Sequence, residues 1–238
     1  MIDTRRVRDF TDRESAYQFA AAKVALMLAE ATSMPVPLAL SGGSSPVRLF
    51  ELLTRPPHSR KIPWDRLAIC WVDERMVPSD HALSNFGLAK QWLLDRVPEP
   101  VARIFPMHTD YPSTAAAAQA YEQTLRGLFP GQDFPRFDLI LLGMGPDGHI
   151  ASLFPGDPAL EDTSRWVVAV SAPKMPPHVP RLTLTLPVLN RAKQIIVLVP
   201  GAGKQDAFMD ASENPSSGLP AALLHPQGEI SWLTCFCE

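Results

Sequence analysis

The chain has 238 residues, of which 46% are hydrophobic and 20% are charged, with a formal net charge of −3. This composition is typical of a globular protein and excludes a disordered one. The negative balance argues against a general nucleic-acid-binding surface, for which a basic excess is expected. No composition shift or internal repeat marks a domain boundary, so we expect one domain over residues 1–238.

The sequence contains no predicted targeting or membrane segment. Residues 1–6 carry charge but no apolar core of the kind found in signal peptides. No apolar run approaches the ~18 residues that span a bilayer. Cys235 and Cys237 lie two apart in a predicted terminal strand; a metal-binding pair is one alternative, but a lone C-x-C favours a structural role. We therefore expect a reduced, cytoplasmic protein.

The first half of the chain alternates predicted helices and strands. Thr11 and Glu14 form a capping-box pattern, after which apolar residues recur at helical spacing as far as Ala31. Ser45 followed by Pro46 predicts the start of a second helix. A buried strand is predicted at 35–40, a second strand at 67–72 and a short one at 103–107. Two further helices are predicted at 84–97, capped by Ser84, and at 113–129.

The second half continues the alternation. Strands are predicted at 137–142, 166–170, 181–186, 195–199 and 229–236, and helices at 204–211 and 219–224. Alternating strands and helices predict an α/β fold with a mostly parallel, Rossmann-like sheet and helices on both faces. The nearly continuous apolar runs at 139–142 and 195–199 agree with strands that are buried on both sides.

The most informative segment runs from Phe137 to His149. A buried strand ends there in three glycines, Asp147 and His149. Glycine permits tight turns and close approach of a ligand, and histidine titrates near neutrality, so this loop predicts an active site. The glycines also match G-x-G-x-x-G. A dinucleotide site would need a long helix and a later acidic residue, and Pro155-Gly156-Asp157-Pro158 interrupts such a helix.

Other polar or glycine-rich loops follow predicted strands. In α/β sheets, ligands bind beyond the carboxyl ends of the strands, where such loops converge. We expect four to meet there: Ser41-Gly42-Gly43-Ser44-Ser45, Asp73-Glu74-Arg75, the loop from Gly143 to His149, and Pro200-Gly201-Ala202-Gly203-Lys204.

The loop from Ser41 to Ser45 leads into a helix N-terminus, which favours phosphate binding; the alternative is a simple capped turn. It lacks the lysine of a Walker loop, and Pro46 excludes the G-x-S-x-G elbow of serine hydrolases. Lys204 and Arg181 would neutralise the phosphate, although each alone is equally consistent with an ordinary charged side chain.

The triplet Asp73-Glu74-Arg75 is either a surface ion-pair cluster or part of the site, and its position after a strand leaves both alternatives open. The remaining histidines neighbour prolines or loop residues, which favours surface or loop histidines over catalytic ones. No H-E-x-x-H or comparable metal-ligand spacing occurs, so no metal is predicted.

Taken in order, these loops resemble the 6-phosphogluconolactonase family. The matching stretches cover nearly the whole chain and are 40–46, 71–78, Ser84-Asn85, 142–156, more loosely 180–183, and Gly203-Lys204. The resemblance implies a soluble enzyme of the oxidative pentose phosphate pathway. Such an enzyme hydrolyses 6-phosphoglucono-δ-lactone to 6-phosphogluconate without a metal or organic cofactor, and its partner is a small phosphosugar lactone rather than nucleic acid or membrane.

Carried onto this sequence, the resemblance suggests a role for each residue. His149 would be the general base, Asp147 would orient it or cap the turn, and Arg75 would bind sugar oxygens or the developing oxyanion. The phosphate would be held by the loop Ser41, Gly42, Gly43, Ser44 and Ser45 together with Arg181 and Lys204. This activity does not require an oligomer.

Two alternatives remain to be distinguished. Lactonases often have threonine at the position of Ile150. An isoleucine there resembles the related glucosamine-6-phosphate deaminases. Those enzymes continue towards Phe-Asn-Glu-Pro, whereas Ser152-Leu153-Phe154-Pro155 offers no carboxylate, which favours a lactonase. A non-catalytic phosphosugar sensor is the other alternative. About 35 residues precede the first strand predicted here, and they form one amphipathic helix rather than a helix-turn-helix unit.

Overall fold

The computed structural model describes residues 1–3, 6–43, 45–214 and 216–237. They form ten strands and six α-helices. The strands are β1 Val7–Asp9, β2 Val36–Leu40, β3 Leu67–Trp71, β4 Asp73–Arg75, β5 Arg103–Phe105, β6 Leu139–Gly143, β7 Val167–Val170, β8 Arg181–Leu184, β9 Gln194–Pro200 and β10 Glu229–Cys235. The helices are α1 Arg13–Glu30, α2 Ser45–Leu53, α3 Asn85–Ala89, α4 Thr114–Leu128, α5 Leu186–Asn190 and α6 Gln205–Glu213.

Seven strands form a central sheet in the order β1-β10-β9-β6-β2-β3-β5. Every neighbouring pair in this sheet is parallel. All residues of β2 and β3 are buried, as expected for parallel strands that are covered on both faces. The predicted α/β fold with a mostly parallel sheet is confirmed.

The other three strands form a separate sheet in the order β4-β8-β7, and both of its pairings are antiparallel. The sequence predicts a loop at residues 73–75 and does not assign the strands at 166–170 and 181–186 to a second sheet. Short apolar runs do not reveal which sheet they join, and a three-residue charged strand has no readable alternation. Val72 separates β3 from β4 and bridges the sheets, because its carbonyl accepts from the Leu184 amide at 2.7 Å.

Helix ends follow local side-chain chemistry. Ser84 caps α3, as predicted, and Ser113 caps α4; each accepts the backbone N–H group three residues ahead. Asp12, rather than Thr11, caps α1; its carboxylate accepts the Ser15 amide at 2.8 Å, which corrects the capping box predicted from Thr11 and Glu14. The predicted helix at 84–97 changes to a π-helix over Lys90–Leu94, and that at 219–224 is a 3₁₀ turn, Pro220–Leu223.

The C-terminal cysteines are joined to each other. Cys235 and Cys237 form a disulfide, which differs from the reduced cysteines expected from the sequence, while Cys70 is buried and free. Among the residues that the structure describes, no group of three or more His, Cys, Asp or Glu side chains could hold a metal ion. No helix in the same residues has the length and apolar character needed to cross a bilayer.

Candidate active site

The loops after four strands meet around a cleft of about 250 Å³. The structure thus brings together the segments that were predicted to lie at the carboxyl ends of β2, β3, β6 and β9. The lining residues are Ser41, Gly42, Gly43, Ser45, Asp73, Arg75, Gly143, Met144, Gly145, Pro146, His149, Ala151, Arg181 and Lys204. Asp147 lies behind this lining, against His149. Ser44 lies outside the described residues.

The loop after β6 is a tight turn that returns on itself. The Gly145 amide donates to the His149 carbonyl at 2.9 Å, and the Gly148 amide to the Gly145 carbonyl at 3.1 Å. Gly148 has φ +77°, which glycine adopts without strain. A Cβ at Gly145 would overlap the imidazole of His149 and approach the Asp147 carboxylate. Glycine at position 145 therefore leaves room for the histidine to fold back over the turn.

His149 and Asp147 form a close pair in this turn. Imidazole Nδ1 lies 2.5 Å from Asp147 Oδ1, and the same oxygen accepts the His149 amide at 3.2 Å. Burial tends to raise the pKa of Asp147, but the interactions with His149 outweigh it and leave the pKa below its ordinary value. A carboxylate at Nδ1 favours the tautomer with the proton there, so Nε2 is left as the basic nitrogen. The Phe154 ring packs 4.6 Å from the imidazole.

Two arginines stand side by side in the cleft. Arg75 on β4 is the antiparallel register partner of Arg181 on β8. Arg181 is only 3% exposed, and burial together with the charge of Arg75 lowers its pKa from the ordinary value. Both Nε atoms are buried without a hydrogen-bond partner in the described structure. One buried and one partly buried guanidinium group at the same cleft are suited to binding anionic oxygens.

A buried polar network supports this pair, and sequence reasoning missed it. Asp73 Oδ2 accepts from the Ser152 hydroxyl at 2.6 Å, and Asp73 Oδ1 from Asn85 Nδ2 at 3.2 Å. Arg181 Nη1 lies 3.4 Å from the same serine oxygen. Ser152 and Asn85 belong to the stretches that carry the family resemblance, but no local spacing indicates a contact between residues 73 and 152.

Glu74 points away from the cleft and stabilises the start of α3. It is 1% exposed, and its carboxylate accepts the amides of Arg75, Asn85 and Phe86 at 2.7–2.8 Å. Burial raises the pKa of Glu74, and these amides oppose the shift. The structure thus assigns Glu74 a different environment from its neighbours Asp73 and Arg75, a distinction that the sequence pattern does not make.

The other end of the cleft is built from the loop after β2 and the start of α2. Gly43 has φ +83°, and a Cβ at Gly42 would overlap the Asn85 side chain. Lys204 Nζ lies 3.4 Å from Ser45 Oγ. Burial, assisted by the charge of Arg13, lowers the pKa of Lys204 to about 8. A helix N-terminus beside a partly buried cation is suited to a phosphate group.

Comparison with known proteins shows which protein family the chain belongs to. Residues 11–232 match the family model described as glucosamine-6-phosphate isomerases/6-phosphogluconolactonase. The chain belongs to this family. A 6-phosphogluconolactonase from Synechocystis is 42% identical over 200 residues, which cover 82% of this chain and 80% of the relative. The human 6-phosphogluconolactonase is 41% identical over 206 residues, covering 82% and 76%.

Some relatives are longer than this chain. Rice proteins named probable 6-phosphogluconolactonase 3, chloroplastic, are 41% identical over 210 residues, but the match spans only 63% of their length. The family comparison therefore concerns the part of those proteins that this chain matches.

Solved structures of family members share the fold. The 6-phosphogluconolactonase of Thermotoga maritima superimposes with a TM-score of 0.83 at 28% identity, covering 96% of this chain and 98% of that one. The enzyme of Trypanosoma brucei gives 0.83 at 29%, covering 96% and 95%. A monomeric glucosamine-6-phosphate deaminase gives 0.79 at 22%, covering 95% and 96%, a likeness of fold alone.

Proposed function

We propose that this protein hydrolyses 6-phospho-D-glucono-1,5-lactone to 6-phosphogluconate, a step of the oxidative pentose phosphate pathway. The observation that carries the proposal is the His149–Asp147 pair at 2.5 Å, placed in a cleft that also presents Arg75, Arg181 and Lys204. A base beside several cations suits an ester substrate that bears a phosphate. The names of the relatives at about 40% identity support the same activity.

In the proposed mechanism, His149 activates water. Nε2 takes a proton from a water molecule whose oxygen attacks the lactone carbonyl carbon, and Asp147 stabilises the imidazolium that forms. The tetrahedral intermediate collapses by breaking the bond between that carbon and the ring oxygen, which receives the proton from Nε2. General acid–base catalysis of this kind contributes typically ~10²–10⁴ in rate. The chemistry needs neither a metal nor an organic cofactor.

The cations divide between the two ends of the substrate. Arg75 would stabilise negative charge on the former carbonyl oxygen, where a preorganised donor is most effective. The phosphate would be bound by Lys204 and Arg181, by Ser45 and the N-terminal amides of α2, and by the preceding loop, Ser41, Gly42, Gly43 and Ser44. Each charge-assisted hydrogen bond of this type is worth about 1.5–3 kcal/mol.

The proposal also concerns the molecule as a whole. It takes residues 1–238 as one catalytic domain in the cytoplasm, with a small phosphosugar lactone as partner, without nucleic acid or membrane, and with no need for an oligomer. Plant relatives from rice and Arabidopsis are named as chloroplastic. Fluorescent tagging of the protein in its own cells would test the compartment.

Deamination of glucosamine 6-phosphate is the competing activity within the family. That reaction opens a hexosamine ring and moves protons between C1 and C2, which calls for additional carboxylates around the histidine. Here the space beside the imidazole is filled by the Phe154 ring, and Ser152 and Leu153 supply no carboxylate. These features favour lactone hydrolysis.

Assays with both substrates distinguish lactone hydrolysis from deamination. Purified protein is mixed with freshly generated 6-phosphogluconolactone, and acid release is followed above the spontaneous rate. Ammonia is measured separately with glucosamine 6-phosphate. We expect rapid acid release and no ammonia. Ammonia production with an inert lactone would overturn the proposal in favour of a deaminase, and binding without turnover of either compound would favour a sensor.

A further inference from the structure

Ser152 lies outside the cleft lining but beneath it. Ser152 is completely buried, and its amide donates to Thr183 Oγ1 at 3.2 Å on β8. Its hydroxyl lies between two opposite charges: it donates to Asp73 Oδ2 at 2.6 Å and is approached by Arg181 Nη1 at 3.4 Å. The hydroxyl is thus a neutral spacer between a buried carboxylate and a buried guanidinium.

The two charges that flank Ser152 do not meet directly. Asp73 is 4% exposed and Arg181 is 3% exposed, so solvent screens neither. Among the described residues, the salt bridges do not include one between them. The described hydrogen bonds of Arg181 go to the Ser152 hydroxyl and, at 3.2 Å, to the Pro177 carbonyl. Its Nε is buried and unpaired.

An arginine in this arrangement remains able to bind a ligand anion. A guanidinium that closed onto Asp73 would form a bidentate ion pair and present fewer donors to the cleft. A serine hydroxyl satisfies the carboxylate through its proton and offers the arginine only a weak, long contact. The Asp73 carboxylate still attracts the Arg181 guanidinium across the hydroxyl and stabilises its charged form. This attraction opposes the lowering of the Arg181 pKa that burial causes.

We infer that Ser152 is a positioning residue that holds the Arg181 guanidinium away from Asp73 and so keeps it available to the anionic oxygens of the phosphosugar. The inference rests on the proposed function for the identity of the ligand. The separation of the two charges is a property of the protein itself and can be tested without a substrate.

The first test is structural. In a crystal structure of the Ser152→Ala variant, we expect the guanidinium to move onto Asp73 and form a direct ion pair. A guanidinium that stays at its original distance from Asp73 would overturn the inference, whichever substrate the protein uses. If Ser152→Ala does not fold, Ser152→Gly also removes the hydroxyl and leaves space between the two charges, so the same closer approach is expected.

The second test is a double-mutant cycle with Asp73→Asn. In the parent background, Ser152→Ala should lower kcat/KM for the lactone and weaken binding of 6-phosphogluconate by about 10-fold or more, because the arginine is captured. In the Asp73→Asn background, the neutral amide cannot form an ion pair with Arg181. Ser152→Ala should then lower kcat/KM and the affinity for 6-phosphogluconate by less than about 3-fold. Equal losses in both backgrounds would indicate a merely structural hydroxyl and overturn the inference.

Ser59→Ala is the matched control. Ser59 is also a buried serine, 4% exposed, but it does not line the cleft. Its substitution should leave kcat/KM unchanged in both backgrounds. A parent protein that hydrolyses no lactone would refute the proposed function alone, because the position of Arg181 in the Ser152→Ala crystal would still decide the role of Ser152.

Discussion

Asp147 and His149, two residues apart, place a carboxylate oxygen 2.5 Å from the imidazole Nδ1. The turn that makes this contact is closed by backbone hydrogen bonds on both sides of Asp147, so the imidazole is oriented before a substrate arrives. If His149 is the general base proposed above, this preorganisation lowers the cost of reaching the transition state. Nδ1 is occupied, and Nε2 remains for proton transfer.

The first prediction tests the pair by substitution. His149→Asn should fold normally and lose about 10²-fold or more of kcat, because no other group replaces the base. Asp147→Asn should lose less, since it removes the orienting charge and keeps the histidine. Steady-state kinetics with the lactone measure both. His225→Asn, at an exposed histidine, is the control. A folded His149→Asn protein with an unchanged kcat would remove His149 from the mechanism.

The second prediction concerns pH. Because burial and Arg13 lower the pKa of Lys204 to about 8, the free protein loses this cation as the pH rises through that value. Binding a phosphate dianion then requires uptake of a proton, so the affinity for 6-phosphogluconate should fall above about pH 8, by at most about tenfold per pH unit. Titration calorimetry between about pH 7 and about pH 9.5 measures the profile.

Lys204→Arg is the matched variant for that experiment, since a guanidinium stays charged over the whole range. Its affinity should be nearly independent of pH, while Lys204→Ala should bind more weakly, by about 1.5–3 kcal/mol, at the lower pH. A parent profile that does not change between the two ends of the range would contradict the lowered pKa of Lys204, and a Lys204→Ala variant that binds as tightly as the parent would exclude Lys204 from the phosphate site.

The third prediction compares two glycines. Gly145→Ala should displace the His149 ring and reduce kcat by about 10-fold or more, because a Cβ there overlaps the imidazole. Gly127 lies within α4, where an added methyl group would meet open space, so Gly127→Ala should raise the free energy of unfolding by about 0.5–1 kcal/mol and leave activity unchanged. Denaturant unfolding and kinetics distinguish the two effects. Full activity in Gly145→Ala would contradict the assigned role of the turn.

The fourth prediction concerns Glu74. Its buried carboxylate accepts the Arg75 amide on β4 and the Asn85 and Phe86 amides at the start of α3. The side chain of glutamine has only one acceptor oxygen, so it can accept only some of these hydrogen bonds. Glu74→Gln should therefore lower the free energy of unfolding by about 1–3 kcal/mol, measured by urea titration. Glu99→Gln, at an exposed position, should change it by less than about 0.5 kcal/mol. Equal stabilities of the two variants would show that the Glu74 contacts contribute little.

Much of the fold is determined by local sequence. The apolar run that becomes β6, the serine caps at Ser84 and Ser113, and the glycine turn before His149 each depend on residues a few positions apart. Hydrophobic period and capping chemistry act over that range, so these elements were predictable. The contact between Asp147 and His149 belongs to the same class, because two intervening peptide units bring the side chains together.

The tertiary structure alone decided the rest of the site. The chain leaves the central sheet at Val72, and β4 then pairs with β8, more than a hundred positions later, which sets Arg75 beside Arg181. The same pairing brings Asp73 to Ser152, 79 positions away. Residue patterns report local burial, whereas strand pairing depends on which distant segments pack together. The sequence by itself therefore determined the elements and the histidine turn, and packing between distant strands determined how the buried charges face the cleft.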